Sequence, residues 1–175
     1  MMRLALAATL ALLASPALAI QLTSPDVKDG VQFDTKFVCA KFGGQSISPA
    51  LAWTAIPAGA KSLAVTMFDP DAGSAGYWHW LAVDIPVTAT GLDQNAGAAG
   101  GAMPAGTTPV PNGAGHANYD GPCPPPGSPH HYQITVWALP DAKSGIPAGM
   151  KPADVGQWLS QHAIESARIV PIYGK

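Results

Sequence analysis

The sequence predicts an all-β sandwich. Three observations carry that prediction. Short apolar runs rich in β-branched and aromatic residues recur along the chain. Glycine and proline, 19 and 18 of 175 residues, bound those runs, and such clusters punctuate strands. Only one segment, near the C-terminus, repeats its apolar residues at helical spacing.

The chain opens with MMRLALAATLALLASPALA, residues 1–19. Arg3, the apolar stretch from Leu4 to Leu13, and the small residues Ala17 and Ala19 form the pattern of a cleavable secretory signal. Its apolar part is too short for a membrane span. Ile20, not cysteine, follows the expected cut, so no lipid anchor is expected there. One domain, residues 20–175, should remain, periplasmic or secreted, with no transmembrane span. Its first strand is VQFDTKFVC, residues 31–39, where Val31, Phe33, Thr35, Phe37 and Cys39 alternate onto one face. AKFGGQSISPALAW, residues 40–53, reads as a loop. SLAVTMF, residues 62–68, and WHWLAVDI, residues 78–85, read as buried strands. Alternation in the second puts His79 on the side of Leu81 and Val83, with Trp78 and Trp80 opposite.

Residues 88–129 are dominated by Gly, Ala and Pro and show no period. A connection this long is either a binding loop pinned by its prolines or partly disordered, GAAGGAMPAG (residues 97–106) being its loosest portion. YQITVWAL, residues 132–139, is the next strand. A helix follows: Pro152 suits its first turn, and Val155, Trp158, Leu159, His162 and Ala163 share one face. ARIVPIYG, residues 167–174, closes the chain as a strand that Pro171 assigns to an edge.

Composition narrows the function. Charged residues are 11% of the chain and the net charge is −2, or about −3 once Arg3 leaves with the signal. Arg168 is then the only arginine and the lysines are scattered. Duplex binding needs clustered cations, so nucleic acid is not an expected partner. The two cysteines, Cys39 and Cys123, lie in the exported part, where they form either a disulfide or two buried thiols. A pair without CxxC spacing is a poor metal site.

The chemistry concentrates in DPDAGSAGYWHW and SPHHY. Asp69 and Asp71, at i and i+2 where a strand leaves its sheet, suit capping of their own turn. A paired-carboxylate hydrolase is the rival reading. His79 reads alone as a satisfied core histidine. Alternation puts His130 with Tyr132, Ile134 and Val136, and His131 opposite. If strands 77–85 and 130–138 are neighbours, His79, His130, Tyr132 and an aspartate converge into an apolar cup with N–H and O–H donors, suited to phosphate or carboxylate. Zinc by His79, His130 and an aspartate is formally possible, but no HExxH-type spacing supports it. No G-x-S-x-G elbow or phosphate-cradling P-loop is present.

Two blocks, DPDAGSAGYWHWLAVDIP (residues 69–86) and YDGPCPPPGSPHHYQITVWAL (residues 119–139), resemble the signature blocks of the phosphatidylethanolamine-binding protein family, in its bacterial Raf kinase inhibitor-like branch. SPALAWTAIPAGAKSLAVTMFDPDA before them and QHAI with ARIVPIYG after them extend the similarity over nearly all of residues 20–175. The resemblance implies a two-sheet antiparallel Greek-key sandwich with a small C-terminal helix. It also implies a shallow pocket for phosphate or headgroup-like anions, without a cofactor. The matching ligand-binding positions are Asp69, Tyr77, His79, Gly121, Pro124, His130 and Tyr132. Gly73 stands where the family usually has proline, His131 where it usually has arginine, and the loop after Cys39 looks about three residues longer than usual.

The expected function is therefore a non-enzymatic binding or inhibitory protein. His79, His130 and the Tyr132 hydroxyl would contact the anion, and Asp69 would orient a histidine. The rivals are an inhibitor of a periplasmic protease or other hydrolase acting through the pocket rim, and a zinc or carboxylate phosphoester hydrolase.

Overall fold

The computed structural model describes residues 19–147 and 149–174, so most of the proposed signal, residues 1–18, lies outside the described residues. The described elements run β1 (Gln21–Thr23), β2 (Leu51–Thr54), β3 (Ser62–Asp69), β4 (Tyr77–Pro86), β5 (Gly91–Leu92), β6 (Thr108–Val110), β7 (His130–His131), β8 (Gln133–Leu139), α1 (Pro152–His162), β9 (Glu165–Ile169) and β10 (Ile172–Tyr173). A five-stranded sheet has the order β6-β4-β3-β8-β9, and a three-stranded sheet the order β1-β2-β5. β10 pairs with β7. All these ladders are antiparallel, while Gln32 makes one parallel bridge to Ile172. The molecule is mostly β with one short helix, as composition and periodicity predict.

The long apolar runs take the centre of the larger sheet because both its faces are covered. On one face Val65, Met67, Trp80, Ala82, Ile134 and Val136 join Leu51, Trp53 and Leu92 of the smaller sheet in the main core. On the other, Ala64, Leu81, Val83, Trp137 and Leu139 pack with Val155 and Leu159 of the helix. Residue 156 is glycine because a Cβ there would overlap the Trp78 ring. The helix buries Val155, Gly156 and Leu159, with Trp158 and Ala163 packed at the margin, close to the predicted stripe.

Four sequence expectations are corrected. Residues 31–39 are not a strand. Asp34 Oδ1 accepts a hydrogen bond from Lys36 N–H at 3.0 Å and caps a 3-10 turn over Thr35–Phe37. That local bond competes with a ladder, and Phe33 and Phe37 are buried while Val31 is 52% exposed. The tail of the predicted loop, Leu51–Thr54, is instead β2, pairing on both sides.

His79 does not share a face with Leu81 and Val83. Met67 opposes Trp80 and Phe68 opposes Trp78, so His79 is the extra residue of a β-bulge. The bulge resets the alternation. Trp78 then packs towards the helix, and His79 turns with Trp80 to the main core, where its ring meets Tyr132 edge-on at 5.3 Å. Strands 77–85 and 130–138 are not neighbours either, because β3 lies between β4 and β8.

The long stretch 88–129 is pinned, with β5 and β6 inside it. Ser48 Oγ accepts from Gly97 N–H at 2.9 Å, and Tyr119 N–H donates to Gly97 O at 2.7 Å. Even the 97–106 segment packs: a Cβ on Gly97 would press on the Trp80 ring. Pro171 separates β9, an edge strand, from β10.

Candidate functional site

A cleft of about 580 Å³ opens where β3 ends and β4 begins. Asp69, His79, His130 and Tyr77 line it, together with Asp71 to Gly73, with Asp120, Gly121 and Cys123 to Pro125, and with Cys39 and Ser46. β3 lies between the two histidine-bearing segments, so its last residue, Asp69, can reach both.

Asp69 is 2% exposed. Its Oδ1 accepts from Asp71 N–H at 2.9 Å, the turn cap expected from the sequence. Its Oδ2 accepts from His130 Nδ1–H at 2.7 Å. His79 Nε2 stands 3.9 Å from the same oxygen, too far for a direct hydrogen bond. Burial pushes the Asp69 pKa up, but the His79 and His130 rings and the Asp71 N–H outweigh it and hold the carboxyl below its usual range. Both Asp69 oxygens thus act as hydrogen-bond acceptors.

The tautomers follow from the partners. His79 Nδ1 lies 2.9 Å from Asp120 O, a carbonyl that can only accept, so Nδ1 carries the proton. His130 Nδ1 faces the Asp69 carboxylate and carries its proton for the same reason. A neutral ring then has a bare Nε2, and either Nε2 becomes a donor only in the imidazolium form. Holding Nδ1 in this way also orients metal-ligating histidines. Among the described residues, however, no three His, Cys, Asp or Glu side chains form a group able to hold a metal ion.

Every cleft carboxylate has a histidine beside it. Asp71 Oδ2 accepts from His131 N–H at 2.8 Å and from His131 Nδ1–H at 2.9 Å, and those bonds lower its pKa. Asp120 Oδ2 accepts from His116 Nδ1–H at 3.1 Å and from Asn112 Nδ2 at 2.9 Å. Asn112, 2% exposed, also receives Ala114 and His116 N–H on its Oδ1 and donates to Asn118 O, knotting the loop that carries Asp120. Asp120 N–H donates to His79 O at 3.0 Å, so the main chain of Asp120 grips His79 twice.

Of the predicted ligand residues, Asp69, Tyr77, His79, Gly121, Pro124 and His130 line the cleft. Tyr77 meets the His79 ring edge-on at 4.7 Å; burial, then the Asp120 charge, raise its pKa. Gly121 leaves no room for a Cβ, which would sit 2.5 Å from Phe37 O. Cys39 and Cys123 are bonded to each other, the disulfide of the two alternatives, and the bridge ties the Cys39 segment to the 121–125 segment of the lining.

Tyr132 is the exception. It is fully buried beneath the histidines, absent from the cleft lining, and its hydroxyl has no hydrogen-bond partner among the described residues. Burial first, then the Asp69 and Asp71 charges, push its pKa up. His131 bonds to Asp71 and does not itself line the cleft, in keeping with the alternation. Gly73 has φ +71°, which proline cannot adopt, so its replacement of the usual proline reflects a different turn.

Sequence reasoning missed Ser46 and Asp120. Ser46 Oγ accepts from Gly121 N–H at 3.3 Å. Asp120, next to Gly121 in the second block, carried a local signal: an acid beside a turn glycine.

The model of the phosphatidylethanolamine-binding protein family matches residues 23–174. The chain belongs to this family. It is 43% identical over 162 residues to the Escherichia coli UPF0098 protein YbcL, covering 90% of this chain and 88% of that one. Its identity to YbhB of the same organism is 38% over 157 residues, covering 88% and 99%. LppC of Mycobacterium tuberculosis, which carries a lipoprotein name, is 37% identical over 153 residues, covering 86% of this chain and 70% of LppC. The crystal structure of E. coli YbcL, described as a member of the mammalian PEBP family, superposes with a TM-score of 0.85 over 90% of this chain and 99% of that one, at 42% identity. CT736 of Chlamydia trachomatis superposes at 0.74, with 27% identity, over 90% and 98%.

Proposed function

We propose that the chain is an exported, non-enzymatic binding protein, a two-sheet Greek-key sandwich whose cleft takes a small phosphate-like anion. The observation that carries the reading is the pair of imidazoles locked through Nδ1. Protonated, His79 and His130 each present one charge-assisted Nε2–H donor. Asp69 orients the second of them and balances one charge. Pro124 and the disulfide shape the wall, and Gly121 lets it close on the Phe37–Cys39 backbone. Ligand binding by Tyr132 fits less well, because its hydroxyl lies beneath the cleft.

The same geometry argues against hydrolysis. Ser46, the aliphatic hydroxyl in the lining, makes no hydrogen bond to either imidazole, so it forms no nucleophile–base pair with them. Asp69 and Asp71 both engage histidines rather than an open reacting site.

Export is supported by the signal pattern in residues 1–19, by a disulfide suited to an oxidising compartment, and by a relative with a lipoprotein name. Among the described residues no helix is long and apolar enough to cross a membrane.

NMR titration with inorganic phosphate and with phosphoethanolamine, at pH 5.5 and 7.5, tests the reading. His79 and His130 ring signals should move, more at the lower pH. Unmoved rings with both ligands would overturn it, and a response confined to phosphoethanolamine would assign the site to a headgroup rather than free phosphate.

A further inference from the structure

The N-terminal entry into the fold holds a second arrangement, far from the cleft. Ala19 is exposed, whereas Ile20, the next residue, is 4% exposed and belongs to the main core. The backbone N–H of Ile20 donates to Glu165 Oε1 at 3.1 Å. Ile20 leads into β1, at one edge of the three-stranded sheet, and Glu165 opens β9, at one edge of the five-stranded sheet. This contact therefore links edge strands of the two sheets.

We propose that processing after Ala19 converts this hydrogen bond into an ion pair, making Ile20 a terminal anchor for Glu165. Small residues at Ala17 and Ala19 fit the cut of a signal endopeptidase. Hydrolysis breaks the Ala19–Ile20 peptide bond. Water supplies the hydroxyl to the Ala19 carbonyl carbon and a proton to the Ile20 nitrogen, and that amine takes a further proton from solvent. The nitrogen already sits beside Glu165, so the new ammonium needs no rearrangement to meet its partner. The buried Ile20 side chain keeps the terminus in place. Processing thus adds a charged clasp between the sheets that the unprocessed chain lacks.

The inference rests on the export reading, and its test separates the two. The full-length chain is expressed with its own leader, recovered from the periplasm, and its intact mass measured. The product is then acetylated at its α-amine near pH 6, where lysines stay protonated. Acetylation keeps the N–H donor and removes only the charge. Melting temperatures are compared for capped and uncapped protein, in wild type and in Glu165→Gln, which retains an acceptor oxygen.

A mass beginning at Ile20 is expected. Capping should lower Tm by about 2–4 °C in wild type, the scale of one ion pair in a chain of this size, and leave Glu165→Gln unchanged. An exported product beginning at another residue would overturn the anchor and leave export standing. A product retaining Met1 and absent from the periplasm would overturn both. Equal responses to capping in the two proteins, or none in wild type, would overturn the ion pair.

Discussion

Replacing Cys39 and Cys123 together by serine removes a crosslink whose ends are 84 residues apart in sequence. Opening a loop of that length frees denatured-chain entropy equivalent to about 4–5 kcal/mol at 25 °C. The native wall has other ties. Cys39 N–H donates to Pro122 O at 3.1 Å, the Tyr119 hydroxyl donates to Phe37 O at 3.1 Å, and Gly121 lies on the Phe37–Cys39 backbone. The folded state should therefore survive, and the change should appear as lost stability. Urea unfolding of oxidised wild type and of the double variant measures it directly. The expected loss corresponds to a fall in Tm of about 10–15 °C, with a steeper urea dependence because the open denatured chain exposes more surface. A loss below about 1 kcal/mol would refute the reasoning, since the bridge would then barely restrict the denatured chain.

Other variants test individual contacts. Gly121→Ala forces a Cβ onto Phe37 O and should cost about 1–3 kcal/mol in urea unfolding; wild-type stability would show that the wall gives way freely. Tyr132→Phe removes a buried hydroxyl without a partner, so stability should be unchanged or raised by about 1 kcal/mol, and a clear loss of phosphate affinity would restore Tyr132 as a ligand contact. Asp69 has a lowered pKa in the fold, so its contribution is complete above the unfolded value of about 3.9 and disappears as pH falls through the folded value. Acid unfolding of wild type should therefore steepen below about pH 4 relative to Asp69→Asn, and parallel curves would contradict that linkage.

Much of the fold was legible because its signals are local. The apolar runs that became β3, β4 and β8 were bounded by glycine and proline, and the 152–162 helix declared itself by its stripe. Residues 31–39 misled because Phe33 and Phe37 are buried in a strand and in a 3-10 turn alike; the Asp34 cap decided between them. The pairing of His130 with Tyr132 followed from alternation. His79 reached the same place only through a bulge that pairing with β3 defines, and no local pattern encodes it. Ser46 stayed hidden because its position depends on a bond to Gly121, tens of residues away, and Asp120 offered only its glycine neighbour as a signal, its place beside His79 depending on a bond of the same span.

Electrostatics give the site its sharpest consequence. With neutral rings the cleft holds the carboxylates of Asp69, Asp71 and Asp120 and bare Nε2 atoms, a poor host for an anion. Protonated, the His79 and His130 rings would each add a positive charge and an Nε2–H donor to the lining. Sulfate is the cleanest probe, since it stays a dianion across the useful range. Calorimetric titration with sulfate at pH 5.5 and 7.5, for wild type and His130→Gln, tests the central claim most directly. Wild type should bind more tightly at pH 5.5 than at pH 7.5, and the variant should lose most of that gain. Sulfate affinity independent of pH, or equal in the two proteins, would contradict an anion site built on the imidazolium pair.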